Sequence, residues 1–138
     1  MTNEFEQVLE PIKRPTLGVS VELRNLRKTY EKFNAVSNVS ITIRNGEFVT
    51  LLGPSGSGKT TTLMMIAGFV VPTSGEILLD GQSINNIPPY KRNLGMVFQS
   101  YALFPHMTVF NNIAFPLKMR KVPSNIINEK VSKVLQQV

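Results

Sequence analysis

The sequence has 138 residues, of which 42% are hydrophobic, and a formal net charge of +6. Length and composition suit one soluble globular domain, and no apolar run approaches the roughly 20 residues of a membrane-spanning helix. The acidic, polar N-terminus lacks a secretory signal pattern, which predicts a cytosolic chain. The absence of cysteine excludes disulfides and thiolate metal sites, and the dispersed basic residues argue against nucleic-acid binding.

The first part of the chain is expected to be rich in strands. Residues 1–18 contain two prolines and no sustained periodicity, which predicts a flexible extension before a domain over 19–138. Alternating apolar and polar residues predict strands over 19–23 and 39–43, and a short apolar run predicts another over 48–52. The Asn45-Gly46 pair predicts that the last two strands form a hairpin.

Helices and strands alternate in the rest of the chain. The pattern predicts a helix over 59–68 that ends at Gly68, and strands over 76–79 and 94–98. Thr108 is expected to cap a helix through about Arg120, and Ser124 to cap a last helix. The apolar face of the last helix comprises Ile127, Val131, Val134, Leu135 and Val138. This order predicts an α/β nucleotide-binding core with an antiparallel β portion.

A phosphate-binding loop is the strongest motif in the sequence. The pattern G-x-x-x-x-G-K-[ST] is matched by Gly53, Pro54, Ser55, Gly56, Ser57, Gly58, Lys59 and Thr60. Glycines let backbone N–H groups approach phosphates, and the following helix adds the positive end of its dipole. Lys59 is expected at the β- and γ-phosphates and Thr60 on Mg²⁺, with Thr61 near the α-phosphate.

Other motifs indicate which class of P-loop protein this is. The segment 26–30 resembles the adenine-stacking loop (A-loop) of the ATP-binding subunits of ABC transporters, and 45–48 and 73–77 are typical of that family. The segment 95–99 resembles the family's Q-loop strand. The stretch 100–115 resembles importers of the spermidine/putrescine type. The resemblance covers about residues 19–138, and it implies an α/β P-loop NTPase (ABC ATPase) core with an antiparallel β subdomain.

The resemblance also implies roles for individual residues. Tyr30 would stack on the adenine of ATP, with Val36 beside the ring. Gln99 would contact Mg²⁺ and the attacking water, and would act in catalysis together with Lys59. The implied partners are the transmembrane permease subunits and a second ATP-binding subunit in a head-to-tail dimer, at the cytoplasmic side of the inner membrane. The side chains of Tyr101, Leu103 and Phe104 form either a permease-docking patch or a small buried core.

Several parts of the family pattern do not occur within these 138 residues. No signature motif, no Walker B strand ending in Asp-Glu and no switch histidine follow Gln99. His106 lies directly after the Q-loop and is interpreted as a loop residue, and Asp80 belongs to an Asp-Gly turn. The fold is therefore expected to be incomplete at its C-terminal side, with an unpaired strand before the P-loop, and to bind ATP without efficient hydrolysis.

Two other interpretations compete with a transport ATPase. One is a short nucleotide-binding module that docks a partner without catalysis, although no compensating C-terminal cap is evident. The other is a different P-loop enzyme, such as a small kinase or a GTPase. A GTPase would carry an Asn-Lys-x-Asp motif, which the sequence lacks.

Overall fold

The computed structural model describes residues 18–100 and 102–137. The extension predicted over residues 1–18 lies outside the described residues except for Gly18, and Tyr101 and Val138 lie outside them too. The chain divides after Met96 into two compact units, each with its own buried apolar cluster. Among the described residues, no helix is both long and apolar enough to span a membrane.

The first unit contains a four-stranded antiparallel sheet. Its strands are β1 (Val21–Tyr30), β2 (Phe33–Ile43), β3 (Ser74–Leu79) and β4 (Gln82–Ser83). Their order across the sheet is β2-β1-β3-β4. Strand β1 lies between β2 and β3 and pairs with both. The strand predicted over 19–23 begins instead at Val21 and continues to Tyr30, and the strand predicted over 39–43 begins earlier, at Phe33.

The predicted hairpin between 39–43 and 48–52 is wrong, because β2 pairs instead with β1. These two strands are joined through Glu31 and Lys32, so that Tyr30 lies opposite Phe33. The Asn45-Gly46 pair does form a turn, in which the N–H of Glu47 donates to the carbonyl of Arg44 over 3.1 Å. A turn signal therefore marked a change of direction but did not identify the pairing partner.

The apolar segments 48–52 and 94–98 form no strand in this chain. Continuous apolar strands are typical of parallel sheets, in which each strand has neighbours on both edges and cover on both faces. None of the strands among residues 18–100 and 102–137 pairs with either segment. Phe48, Leu52 and Val97 are accordingly 82%, 91% and 92% exposed. The strands predicted over 48–52 and 94–98 are therefore wrong.

The helix α1 (Lys59–Ala67) packs on the sheet and carries the last two residues of the P-loop motif. It ends at Gly68, as predicted, where the backbone adopts the left-handed conformation. Its residue Met65 joins a buried cluster whose other members are Leu23, Leu26, Val36, Ile77 and Ile84. The contact of Met65 thereby packs the C-terminal half of α1 against β1, β2 and β3.

Two helices form most of the second unit. They are α2 (Val109–Met119) and α3 (Ser124–Leu135). Thr108 caps α2 as predicted, with its side chain accepting from the N–H of Asn111 over 3.2 Å. Pro123, and not Ser124, occupies the N-cap of α3, and no side chain caps this end of the helix. Of the predicted apolar face, Ile127 and Val131 are buried with Ala114, whereas Val134 and Leu135 are exposed.

Candidate nucleotide-binding site

The loop over 53–58 rests on strand β2 through a glycine. Gly56 and Gly58 have φ of +83° and +86°, in the region that favours glycine. A Cβ added at Gly58 would collide with the carbonyl oxygen of Ala35 and would lie 3.0 Å from Cγ2 of Val36. The close approach of the loop to β2 therefore requires glycine at position 58.

The Lys59 ammonium folds back over the loop. Its Nζ donates to the carbonyls of Gly53 and Pro54 over 2.8 and 2.7 Å and to Oγ of Ser57 over 3.1 Å. No carboxylate among the described residues lies within ion-pair distance of this ammonium. Lys59 therefore holds the loop closed through hydrogen bonds to neutral acceptors. The oxygens of an anionic ligand would replace these acceptors and form stronger, charge-assisted bonds with the ammonium.

The start of α1 has free backbone donors. Gly58 occupies the N-cap and the first turn has no acidic residue. The first intrahelical bond runs from the N–H of Thr62 to the carbonyl of Gly58 over 2.8 Å, so the N–H groups of Lys59, Thr60 and Thr61 precede it. Such a terminus binds phosphate readily. The Thr60 side chain is exposed, and it is open to a metal ligand role.

Tyr30 presents an aromatic ring at the end of β1. The residue is 46% exposed, and Nζ of Lys28 lies 4.8 Å from the ring centroid. The same Nζ donates to the carbonyl of Val71 over 2.8 Å, which fixes the cation beside the ring. Lys28 lies over one face of the ring, which leaves the opposite face for a base to stack on. Val36 is buried in the core, so the expectation that it lies beside the adenine is wrong.

The predicted site residues divide between the two units. Residues 53–61 and Tyr30 belong to the first unit, whereas Gln99 belongs to the second. Gln99 is exposed and lies in a turn. His106 also lies in a turn, as interpreted from the sequence. Asp80 follows β3 in a turn, where its carboxylate accepts from the N–H and the hydroxyl of Ser20 over 2.7 and 3.1 Å.

The loop after Gln99 is braced by the Asn112 amide. Its Oδ1 accepts from the N–H of Phe104 over 2.9 Å, and its Nδ2 donates to the carbonyl of Phe104 over 3.1 Å. The Phe104 ring packs on that of Phe115 at 4.8 Å between centroids, whereas Leu103 is exposed. Phe104 is itself 38% exposed and lies outside the buried cluster of its unit, so the exposure of both residues favours a surface patch over a buried core.

Three residues that support the site were missed by sequence reasoning. Lys28 backs the Tyr30 ring, Asn112 braces the segment after Gln99, and the buried Arg92 donates to carbonyls of α1. Each acts on a segment distant in the sequence or on a loop without a motif. Their residue types alone carry no signal that separates them from ordinary surface positions.

Comparison with known proteins points to one family. The sequence profile of the ABC transporter family matches residues 36–138. The spermidine/putrescine import ATP-binding protein PotA of Nitrosomonas eutropha is 62% identical over 118 residues, which are 86% of this chain and 32% of that protein. PotA of Thermotoga maritima is 52% identical over 122 residues, which are 88% of this chain and 33% of that protein. The chain spans about a third of the length of these relatives.

Solved structures agree with the sequence comparison. The dimeric post-hydrolysis structure of the ATP-binding cassette MJ0796, bound to ADP and Pi, matches with a TM-score of 0.74 and 32% identity, over 84% of this chain and 56% of that one. The predicted fold, an α/β P-loop core with an antiparallel β subdomain, is confirmed. The family profile covers most of the chain, which therefore belongs to the ABC transporter family.

Proposed function

We propose that this chain is part of the ATP-binding subunit of an ABC importer, which couples ATP binding and hydrolysis to the uptake of a solute of the polyamine type. The observation that carries the nucleotide part is the P-loop, in which the Lys59 ammonium bridges the carbonyls of Gly53 and Pro54 at the start of α1. The solute class rests on the similarity to the spermidine/putrescine import ATP-binding proteins of N. eutropha and T. maritima.

The triphosphate binds along the loop 53–58 and the start of α1. Backbone N–H groups and Lys59 hold the β- and γ-phosphates, and Thr61 lies toward the α-phosphate. Tyr30 stacks on the adenine with its face opposite Lys28. The aromatic ring holds the base by stacking, and the loop selects for the anionic phosphates.

A Mg²⁺ ion fits this site through few protein ligands. Among the described residues, no group of three or more His, Asp or Glu side chains would hold a metal. Mg²⁺ bound to nucleotides takes most of its ligands from phosphate oxygens and water, which suits the exposed hydroxyl of Thr60. Gln99 is the proposed second ligand. The ion, when bound, neutralises charge on the phosphates.

Hydrolysis by residues 1–138 alone is slow in this proposal. Gln99 contacts the attacking water, but no strand ending in Asp-Glu follows it within these residues to supply a general base. A missing base costs on the order of 10²–10⁴-fold in rate. The polypeptide 1–138 therefore binds Mg²⁺-ATP with little release of phosphate.

The proposed partners are transmembrane permease subunits and a second ATP-binding subunit, which pairs head to tail. The exposed Leu103, on the loop braced by Asn112, supplies apolar surface for the permease. The protein then lies at the cytoplasmic side of the inner membrane, as a peripheral subunit. The match to dimeric ATP-binding cassettes supports the pairing of two such subunits.

Replacing Lys59 with alanine tests the nucleotide-binding proposal. We expect the dissociation constant of Mg²⁺-ATP, measured by isothermal titration calorimetry, to rise at least about tenfold, because charge-assisted bonds to two phosphates are lost. Lys91→Ala is the matched control, since Lys91 is an exposed lysine at the end of a short 3-10 helix, Pro89–Lys91. Equal affinities of wild type and Lys59→Ala, or no binding by wild type, would refute the proposal.

Replacing Tyr30 with alanine tests adenine stacking. The affinity for ATP should fall about tenfold, in line with base-aromatic stacking elsewhere, while the affinity for inorganic tripolyphosphate stays unchanged. Tyr30→Trp should keep ATP binding, because it keeps an aromatic face. Tyr90→Ala is the control, since Tyr90 is also an exposed tyrosine of the first unit. Equal losses for ATP and tripolyphosphate would show that Tyr30 acts on the loop and not on the base.

A further inference from the structure

Arg92 is a buried arginine in the first unit. It follows the short 3-10 helix Pro89–Lys91 and is only 6% exposed. Burial lowers the pKa of its guanidinium below the ordinary range. A charged group in such a position is costly unless strong acceptors surround it, so the acceptors that Arg92 contacts indicate what it does.

All the hydrogen bonds that the structure gives Arg92 go to backbone carbonyls. Its Nη1 donates to the carbonyls of Met65 and Ile66, each over 2.8 Å. Its Nε donates to the carbonyl of Ile87 over 2.7 Å, and Nη2 reaches that of Asn85 over 3.4 Å. No carboxylate within the described ranges forms an ion pair with it. The compensating charge is therefore the partial negative charge of carbonyl groups.

Two of those carbonyls belong to the end of α1, where the helix dipole is negative. The last turn of α1 has no basic residue of its own. The N–H groups of Gly68 and Phe69 donate to the carbonyls of Met65 and Met64 over 3.2 and 2.9 Å. Arg92 donates to the carbonyl of Ile66. A cation from a distant segment thus completes the cap of this helix.

Gly68 leaves the space that the guanidinium occupies. A Cβ at this position would lie 2.6 Å from Nε and 2.8 Å from Cζ of Arg92. The same glycine has a φ of +87° and forms the C-cap. Its lack of a side chain therefore serves both the helix end and the approach of Arg92.

The other two carbonyls belong to a segment that is fixed to the sheet. The N–H of Ile84 donates to the carbonyl of Ile77 over 2.9 Å. The Asn85 side chain accepts from the N–H of Ile77 and donates to the carbonyl of Gly75, both over 2.9 Å. Arg92 therefore joins the end of α1 to β3 through residues 84–87, independently of the apolar packing of Met65.

The opposite end of α1 is the phosphate site. A helix is a stiff rod with a rise of about 1.5 Å per residue, so holding Ile66 in place also holds the N–H groups of Thr60 and Thr61. We propose that Arg92 is a positioning residue for nucleotide binding: it anchors α1 to the sheet and places the helix start and Lys59 where the triphosphate binds. This inference rests on the proposed ATP binding.

Arg92→Met and Arg92→Lys test this role. Methionine keeps the apolar stem and removes all donors, and lysine keeps one charge without the planar fork that spans several carbonyls. We expect the dissociation constants of Mg²⁺-ATP and of inorganic tripolyphosphate to rise by the same factor, about tenfold for Arg92→Met and about threefold for Arg92→Lys. Amide hydrogen exchange should speed up in α1 more than in β1.

The controls separate positioning from loss of stability and from failure of ATP binding. Val131→Ala removes buried side-chain volume from the second unit and should keep both affinities, measured at a temperature where each variant is folded. If Arg92→Met, or Arg92→Lys where methionine prevents folding, binds tripolyphosphate as tightly as wild type, the inference is wrong. If wild type binds no more ATP than Lys59→Ala, the proposed function fails first, and the inference fails with it.

Discussion

Replacing Gly58 with alanine is expected to abolish ATP binding and to lower the free energy of unfolding by about 2–6 kcal/mol. The methyl group would meet the carbonyl oxygen of Ala35, a backbone atom that cannot rotate away, and would press on Val36. The φ of +86° adds strain for any residue with a Cβ, and overpacking contributes a further 1–3 kcal/mol, roughly. Urea denaturation and calorimetric titration with Mg²⁺-ATP measure the two effects.

Gly81→Ala is the control for the conformational part of this effect. Gly81 has a φ of +76°, but nothing lies within 4 Å of a Cβ built there. This variant should lose only about 1 kcal/mol and keep its affinity for ATP. If Gly58→Ala were no less stable than Gly81→Ala, the close approach of the loop to β2 would not restrict position 58.

Leu26→Ala should cost about 2–5 kcal/mol of stability through the cavity it leaves. Leu26 is fully buried on β1 in the cluster that includes Met65 and Ile77. Because the variant leaves the loop unchanged, molecules that remain folded should bind ATP with the wild-type dissociation constant. Urea denaturation and titration below the transition check both parts of this prediction.

Leu63→Ala is the matched control for the core substitution. Leu63 lies on α1 but is 47% exposed, and alanine is a good helix former. We expect a change of at most about 0.5 kcal/mol. A loss as large as that of Leu26→Ala would mean that leucine truncation in this unit destabilises regardless of burial.

Local signals predicted the structure well where the structure depends on neighbours in the sequence. The end of α1 at Gly68 and the Thr108 cap of α2 follow from residue types within one turn. The P-loop also depends on a contiguous motif, so its glycines and Lys59 were identified without knowledge of the fold. The same reasoning failed for the cap of α3, where the helix begins at Ser124 itself and Pro123 occupies the N-cap without a side-chain bond.

Pairing between distant segments was the part that the sequence left undetermined. The turn through Glu31 and Lys32 has no glycine or asparagine, so nothing marked β1 and β2 as partners, whereas Asn45-Gly46 suggested a pairing that does not form. The apolar patterns over 48–52 and 94–98 indicate burial, and burial depends on neighbours that no segment among the described residues provides.

The supporting residues of the site were unpredictable for a related reason. Lys28 and Arg92 each act through a carbonyl or a ring brought close by the fold. In the sequence they are two of 15 lysines and arginines, and residue type alone predicts an exposed surface position for every one of them. Their roles become visible only when the acceptors of their hydrogen bonds are known.

The two-residue connection between β1 and β2 also sets an order for folding. A hairpin with neighbouring strands closes in about 1–10 μs, whereas β3 must return to β1 across the intervening P-loop and α1, with a larger entropic cost of loop closure. As the chain leaves the ribosome, β1 and β2 can pair before the residues of the P-loop have emerged from it. The strand that receives Gly58 would then serve as a template on which the phosphate loop takes its shape.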